Sequence, residues 1–215
     1  MSFRIVALLL MLLPASLRLA AQKAFTEGIL AYKVKLTAAD GRVYRGNYTF
    51  TFKGPHIKKE LKLDNGFEDI VIIDCGSGAV NSLQNRNGKK YAIQLRMDDM
   101  QKLQQPFNGF TLTDAGNDSK TIAGYVVNKG KVAYKNGASA EIYYSKEWYP
   151  LQPITFERFP DAKFLPLRYS YTDEHGIGME FDTEKLEMGP QENAVFRIPA
   201  DYKMISYEEY KQLSK

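Results

Sequence analysis

Val43-Tyr44-Arg45-Gly46-Asn47-Tyr48-Thr49-Phe50-Thr51-Phe52-Lys53 decides the fold. Tyr44, Gly46, Tyr48, Phe50 and Phe52 fall on one parity, and Arg45, Asn47, Thr49, Thr51 and Lys53 on the other. A helix would scatter these rings around its axis. A strand, whose side chains alternate between faces, sorts them into one aromatic and one polar side. Lys53-Gly54-Pro55 closes the run. Upstream, Leu30, Tyr32, Val34 and Leu36 share a face against Lys33 and Lys35, and Asp40-Gly41 is a turn signal. The two runs together predict a hairpin.

Outward from that hairpin the period of two continues. Ile57, Leu61 and Leu63 mark a third strand, closed by Asp64-Asn65-Gly66. Phe67 to Asp74 is a more continuous apolar run, suited to a strand covered on both faces. Asn87-Gly88 between Ala79–Gln84 and Tyr91–Leu95 predicts a tight hairpin. Met97, Met100 and Leu103 recur at helical spacing, and Pro106 stops that helix. Strands are then expected at Thr121–Asn128, Lys131–Lys135, Ala140–Ser145 and Ile154–Phe159, with Pro150 and Pro153 kinking the connection before the last. Leu165, Leu167, Tyr169 and Tyr171 alternate, and His175-Gly176 turns the chain into Ile177, Met179 and Phe181. Ser206 and Glu209 form a capping box for a short terminal helix. A parallel sheet would need a helix after most strands. The pattern therefore predicts a mainly β (α+β) fold, one antiparallel sheet of ten or eleven strands with one or two short helices.

The chain has 215 residues, 44% hydrophobic and 25% charged, values of an ordinary packed domain. Ile5 to Leu13 is an apolar run after Arg4, broken by Pro14 and followed by Leu19-Ala20-Ala21. This reads as an export signal over residues 1–22, too short to span a bilayer, which needs about 20 apolar residues. Residues 23–215 are expected to form a single domain with no transmembrane span. No cysteine follows the apolar run, so the product is expected to be periplasmic or envelope-associated without a lipid anchor. Loss of Arg4 and Arg18 with the leader lowers the formal charge from +4 to +2. Acids interleave with bases, so no nucleic-acid footprint appears. Lys58-Lys59-Glu60 reads as a solvated strand face. Cys75, the only cysteine, excludes an internal disulfide and reads as a small buried hydrophobe.

Four stretches bear a family likeness: Phe25-Thr26-Glu27-Gly28-Ile29-Leu30-Ala31-Tyr32, Ile122-Ala123-Gly124-Tyr125, Phe164-Leu165-Pro166-Leu167-Arg168-Tyr169, and Phe196-Arg197-Ile198-Pro199-Ala200-Asp201-Tyr202-Lys203. Over nearly the whole mature length the chain resembles uncharacterised exported families, common in Bacteroidota, whose fold is similar to the lipoprotein carriers LolA and LolB. The resemblance implies a curved antiparallel sheet wrapped as an incomplete barrel, with the Met97–Gln105 helix as a plug over its mouth. It brings no catalytic residues. The better-known relatives hold acyl chains in the hollow.

The chemical inventory is thin. His56 and His175 lack partners at metal-ligand spacing, so neither a metal nor a cofactor is expected. Cys75-Gly76-Ser77-Gly78 lacks the frame of a nucleophile elbow. Glu68/Asp69 point to opposite faces of a strand, and Asp98/Asp99 sit at a helix start, where acids favour the dipole. The candidate ligand-binding residues are an aromatic stripe: Tyr32, Tyr48, Phe50, Phe52, Tyr144, Tyr169 and Tyr171. The stripe has two readings: an ordinary core, or the lining of a hydrophobic hollow left open by a sheet with too few helices to cover it. The first functional expectation is a non-enzymatic envelope protein binding a lipid or other hydrophobic small molecule. The alternative is an interaction module, its core self-filled, that docks an envelope protein partner. An enzyme would need a convergent polar cluster that the sequence does not advertise.

Overall fold

A computed structural model describes residues 22–86 and 88–213, with the backbone alone at 117–119. The export signal therefore lies outside the described residues except for Gln22, and so does Asn87 of the predicted tight turn. The alternating runs become strands: β1 (Lys23–Phe25), β2 (Glu27–Thr37), β3 (Val43–Lys53), β4 (His56–Leu63), β5 (Glu68–Asp74), β6 (Ala79–Arg86) and β7 (Lys89–Arg96). After helix α1 (Met97–Gln104) come β8 (Thr111–Ile122), β9 (Tyr125–Ala133), β10 (Ser139–Ser145), β11 (Trp148–Pro150), β12 (Leu165–Thr172), β13 (Gly178–Met188), β14 (Lys203–Ser206) and α2 (Tyr207–Leu213). In the founding hairpin Tyr32 lies opposite Tyr48 and Leu30 opposite Phe50, so the apolar parities of β2 and β3 share the inner face. Gly46 interrupts that parity because β4 passes too close: a Cβ there would lie 1.8 Å from the Lys62 carbonyl oxygen.

The main sheet runs β14-β7-β6-β5-β4-β3-β2-β13-β12-β10-β9-β8, and β8 and β14 are its free edges. It is open rather than a closed barrel, and connectivity forces it to curl. Ten strand spacings separate β7 from β8, about 48 Å across a flat sheet. The connection at 97–110, with eight residues in α1, spans only about 30 Å. Irregular register between Thr183 and Lys185 in β13, and between Tyr143 and Tyr144 in β10, assists the bend. Met97 and Met100 of α1 pack against the core on the inner face. On the outer face, Phe196, Ile198 and Tyr202 cover Ile70, Ile72, Leu83 and Ala92. That is why β5 carries apolar residues of both parities.

Several expectations are corrected. Thr121–Asn128 is not one strand: Ala123 and Gly124 take positive φ (48° and 84°) and turn β8 into β9, as a two-residue hairpin loop of this hand requires. Lys131–Lys135 is not separate but belongs mostly to β9. Ile154–Phe159 is not a strand; Pro150, Pro153 and Pro160 flank and punctuate it, and it joins no ladder. Two pairings, β14 with β7 and β1 with β11, are parallel, whereas every other neighbour pair is antiparallel. Lys58-Lys59-Glu60 is not a solvated face throughout: Lys59 is 6% exposed and points inward. Cys75 is half-buried against the core, and burial pushes its thiol up. Among the described residues no helix is long and apolar enough to cross a membrane.

Candidate functional site

The inner face of the sheet is occupied from within the chain. Between β11 and β12, residues 151–164 leave the sheet and bury Ile154, Phe156, Phe159, Ala162 and Phe164 against it. This irregular plug has no ladder to satisfy its backbone, so turn bonds such as Thr155 N–H to the Gln152 carbonyl, together with side chains, do so. The Gln104 amide, at the end of α1, donates to the carbonyls of Pro153 and Phe156, each at 3.0 Å. Lys59 Nζ donates to the Ile154 carbonyl at 3.1 Å, and the Tyr134 hydroxyl to that of Arg158 at 3.1 Å. The Arg158 guanidinium lies over the Tyr171 ring at 3.4 Å, and Phe156 packs on Phe50 with centroids 5.4 Å apart. A Gln104→Leu variant keeps the volume and leaves the carbonyls of Pro153 and Phe156, the second of them buried, without that donor. It is expected to lose about 2 kcal/mol, read by urea denaturation, and to be cut within 151–164 by protease sooner than wild type.

The plug does not fill the whole space. A cavity of about 320 Å³ remains between it, α1 and the sheet. Tyr48, Phe50, Tyr169 and Phe181 form part of the wall, with Leu61 and Val71 beside them and Met100 and Leu103 on the helix side. Four charged groups line it: Lys59 from β4, Asp69 from β5, and Glu157 and Arg158 from the plug. Desolvation by burial brings the Lys59 ammonium down to about 8, against the opposing pull of Glu157, Cys75 and Asp69. Burial raises the Asp69 carboxyl, although the Gln84 amide at 3.2 Å and Lys59 favour its charged form. Glu157 reaches solvent at the rim, and the protein around it still raises its carboxyl against Arg158 and Lys59. The phenols of Tyr48, Tyr169 and Tyr171 are all pushed above their ordinary value, chiefly by burial.

Four of the seven aromatic candidates, Tyr48, Phe50, Tyr169 and Tyr171, line this cavity. Tyr32 lies beneath it, edge-on to Phe50, Tyr169 and Phe181. Phe52 stacks behind Phe50 and meets Phe25 edge-on. Tyr144 is elsewhere: it packs on Phe164, bonds the Asp114 carboxylate, and lines a separate depression with Phe110 and Leu112. Sequence reasoning missed Lys59, Asp69, Gln104 and the plug. A signal for the first existed: Ile57, Lys59, Leu61 and Leu63 share one parity, which sets a lysine in the apolar phase of β4.

A larger depression of about 740 Å³ lies over the opposite face of β2, β12 and β13. It is lined by cross-strand ion pairs such as Lys35–Glu180 at 2.7 Å and the two-pronged Arg168–Asp182. Exposed pairs of this kind contribute little. The smaller cavity has the apolar walls and few converging polar groups of a ligand site. His56 faces Asp74 at 3.7 Å and packs on Phe196, and His175 is exposed. Asp98 and Asp99 occupy the first turn of α1, where Asp99 accepts the Arg96 N–H. Among the described residues no group of three or more His, Cys, Asp or Glu could hold a metal ion.

No family model matches the chain, and no curated protein matches it. Solved structures similar in backbone include an uncharacterized conserved protein from Thermus thermophilus, at 14% identity over 84% of this chain and 91% of that one, with a TM-score of 0.45. The Pseudomonas aeruginosa MucA/MucB complex matches at 13% identity over 83% of this chain and 59% of that one, with a TM-score of 0.42. A LolA superfamily protein from Nitrosomonas europaea matches at 10% identity over 82% of this chain and 92% of that one, with a TM-score of 0.39.

Proposed function

We propose that this chain is a non-enzymatic, exported envelope protein, one half-barrel domain over 23–215, that holds a lipid or similar apolar molecule between its sheet and its plug. We extend the reading to kinship with the exported Bacteroidota families that its short motifs resemble. The observation that carries the proposal is the 320 Å³ hollow walled by Tyr48, Phe50, Tyr169, Phe181, Met100 and Leu103. Small-molecule sites run from about 300 to 1,000 Å³, so this hollow suits a single acyl chain better than a two-chain lipid. Each methylene it buries contributes about 0.8 kcal/mol. The leader at 1–22 supports the envelope address, and the near-neutral mature charge supports a partner other than nucleic acid.

Native mass spectrometry of gently extracted protein is expected to find one lipid-sized molecule per chain. Stripped protein is expected to bind the neutral dye phenylnaphthylamine and release it to decanol. A clean apo mass with no dye binding would overturn the proposal. The plug itself favours the second reading, an interaction module whose core is self-filled and which docks an envelope protein. That reading gains if the dye fails to enter and a stoichiometric partner co-purifies instead.

A further inference from the structure

We propose that the cavity takes a single-chain carboxylate head-inward, with the Lys59 ammonium as the group that receives its head. The inference rests on the ligand-binding reading above and goes further by naming the class of ligand. An ammonium carries three donor hydrogens. Among the described residues Lys59 has the Ile154 carbonyl at 3.1 Å and the face of the Phe50 ring at 5.8 Å, and no carboxylate at ion-pair distance. At 6% exposure bulk solvent reaches it little. A desolvated charge without a counter-ion is costly, and a bound carboxylate removes that cost.

The nearby acids do not play the part. Asp69 on β5 accepts from the Gln84 amide on β6, and Glu157 sits at the rim where solvent reaches it. The unmet demand deep in the cavity is therefore for an acceptor. Beside these polar groups the lining presents rings and aliphatic chains, Tyr48, Phe50, Leu61, Val71 and Met100, which suit the methylenes behind a carboxylate head, and its other cation, Arg158, lies over the Tyr171 ring. A fatty alcohol would fill the same space, but its bond to an ammonium lacks the second charge, which roughly doubles hydrogen-bond strength.

Competition for phenylnaphthylamine by decanoate and by decanol, on wild type and Lys59→Met, tests this. Methionine keeps the side-chain volume and removes the charge. Decanoate is expected to bind the variant about 10- to 100-fold more weakly than wild type, and decanol about equally well. Equal losses for both would make Lys59 a strut for the plug only. An unchanged decanoate affinity would remove Lys59 from recognition altogether. Either result overturns this proposal while decanol displacement leaves the ligand-binding reading standing. If neither compound displaces the dye from wild type, the ligand-binding reading itself fails and takes this one with it.

A second measurement needs no variant. Above about pH 8 free Lys59 loses its proton, so decanoate affinity is expected to fall by up to about tenfold per pH unit while decanol affinity holds. A flat decanoate profile overturns the proposal. Asp69, Cys75, Glu157 and Arg158 also face or neighbour Lys59. The same titration on Lys59→Met separates their contribution from that of the lysine.

Discussion

Tyr32→Ala is expected to lower the unfolding free energy by about 4 kcal/mol, the largest loss from any single truncation on the inner face. The ring is fully buried and meets Phe50, Tyr169 and Phe181 edge-on, with centroids 5.9 Å away in each case. Its hydroxyl donates to the Pro166 carbonyl at 2.6 Å, tying β2 to β12 across the intervening β13. Alanine removes the ring, opens a cavity at the centre of the sheet and orphans that carbonyl. Tyr32→Phe keeps the ring and loses only the hydrogen bond, so about 1–2 kcal/mol is expected. Against a typical domain stability of about 5–15 kcal/mol, the first variant sits near the edge of folding and the second does not. Urea denaturation followed by circular dichroism reads both. A loss below about 2 kcal/mol for Tyr32→Ala would show that the sheet relaxes into the space, and that the two wings are held together by other contacts.

Tyr32 also marks what was legible in the sequence. Its parity gave its face, and the parities of β2, β3, β12 and β13 together gave an aromatic inner surface. Turn glycines, Pro106 after α1 and the Ser206–Glu209 capping box are local signals, and each does in the structure what its local chemistry implies. Parity says nothing about position along the sheet. Tyr144 therefore shares a pattern with Tyr169 yet sits over a different depression. The plug was not legible because Ile154 and Phe156 alternate like a strand, while its hydrogen bonds come from Gln104, Lys59 and Tyr134, distant in sequence. The parallel docking of β14 on β7 depends on the 189–202 connection lying across the outer face, a tertiary fact with no local period. Lys59 was hidden by its neighbours: a Lys-Lys-Glu run looks solvated until the strand's phase is taken position by position.

That lysine also leads to the least intuitive expectation, that removing it stabilises the protein. Burial brings its ammonium down from 10.5 to about 8 in the folded chain. Below pH 8 the lysine is charged in both folded and unfolded states, and the folded state bears a cost of about 3 kcal/mol. Between about pH 8 and 10.5 the unfolded chain holds a proton that the folded chain has released, so stability rises with pH. Lys59→Met removes this cost and forfeits the bond to the Ile154 carbonyl, worth about 1 kcal/mol. The variant is therefore expected to be about 2 kcal/mol more stable than wild type near pH 7. That margin should shrink above about pH 8 and vanish or reverse near pH 10. The buried tyrosines pull the other way: above about pH 10 the unfolded chain releases phenol protons that the folded chain keeps, and stability falls. Taking the difference between the two proteins at each pH cancels that trend. A variant less stable by the same amount at every pH would make Lys59 a plain strut. A margin that closes with pH, and closes already near neutrality when decanoate is bound, would show a cation kept at the expense of stability because a ligand offsets its burial.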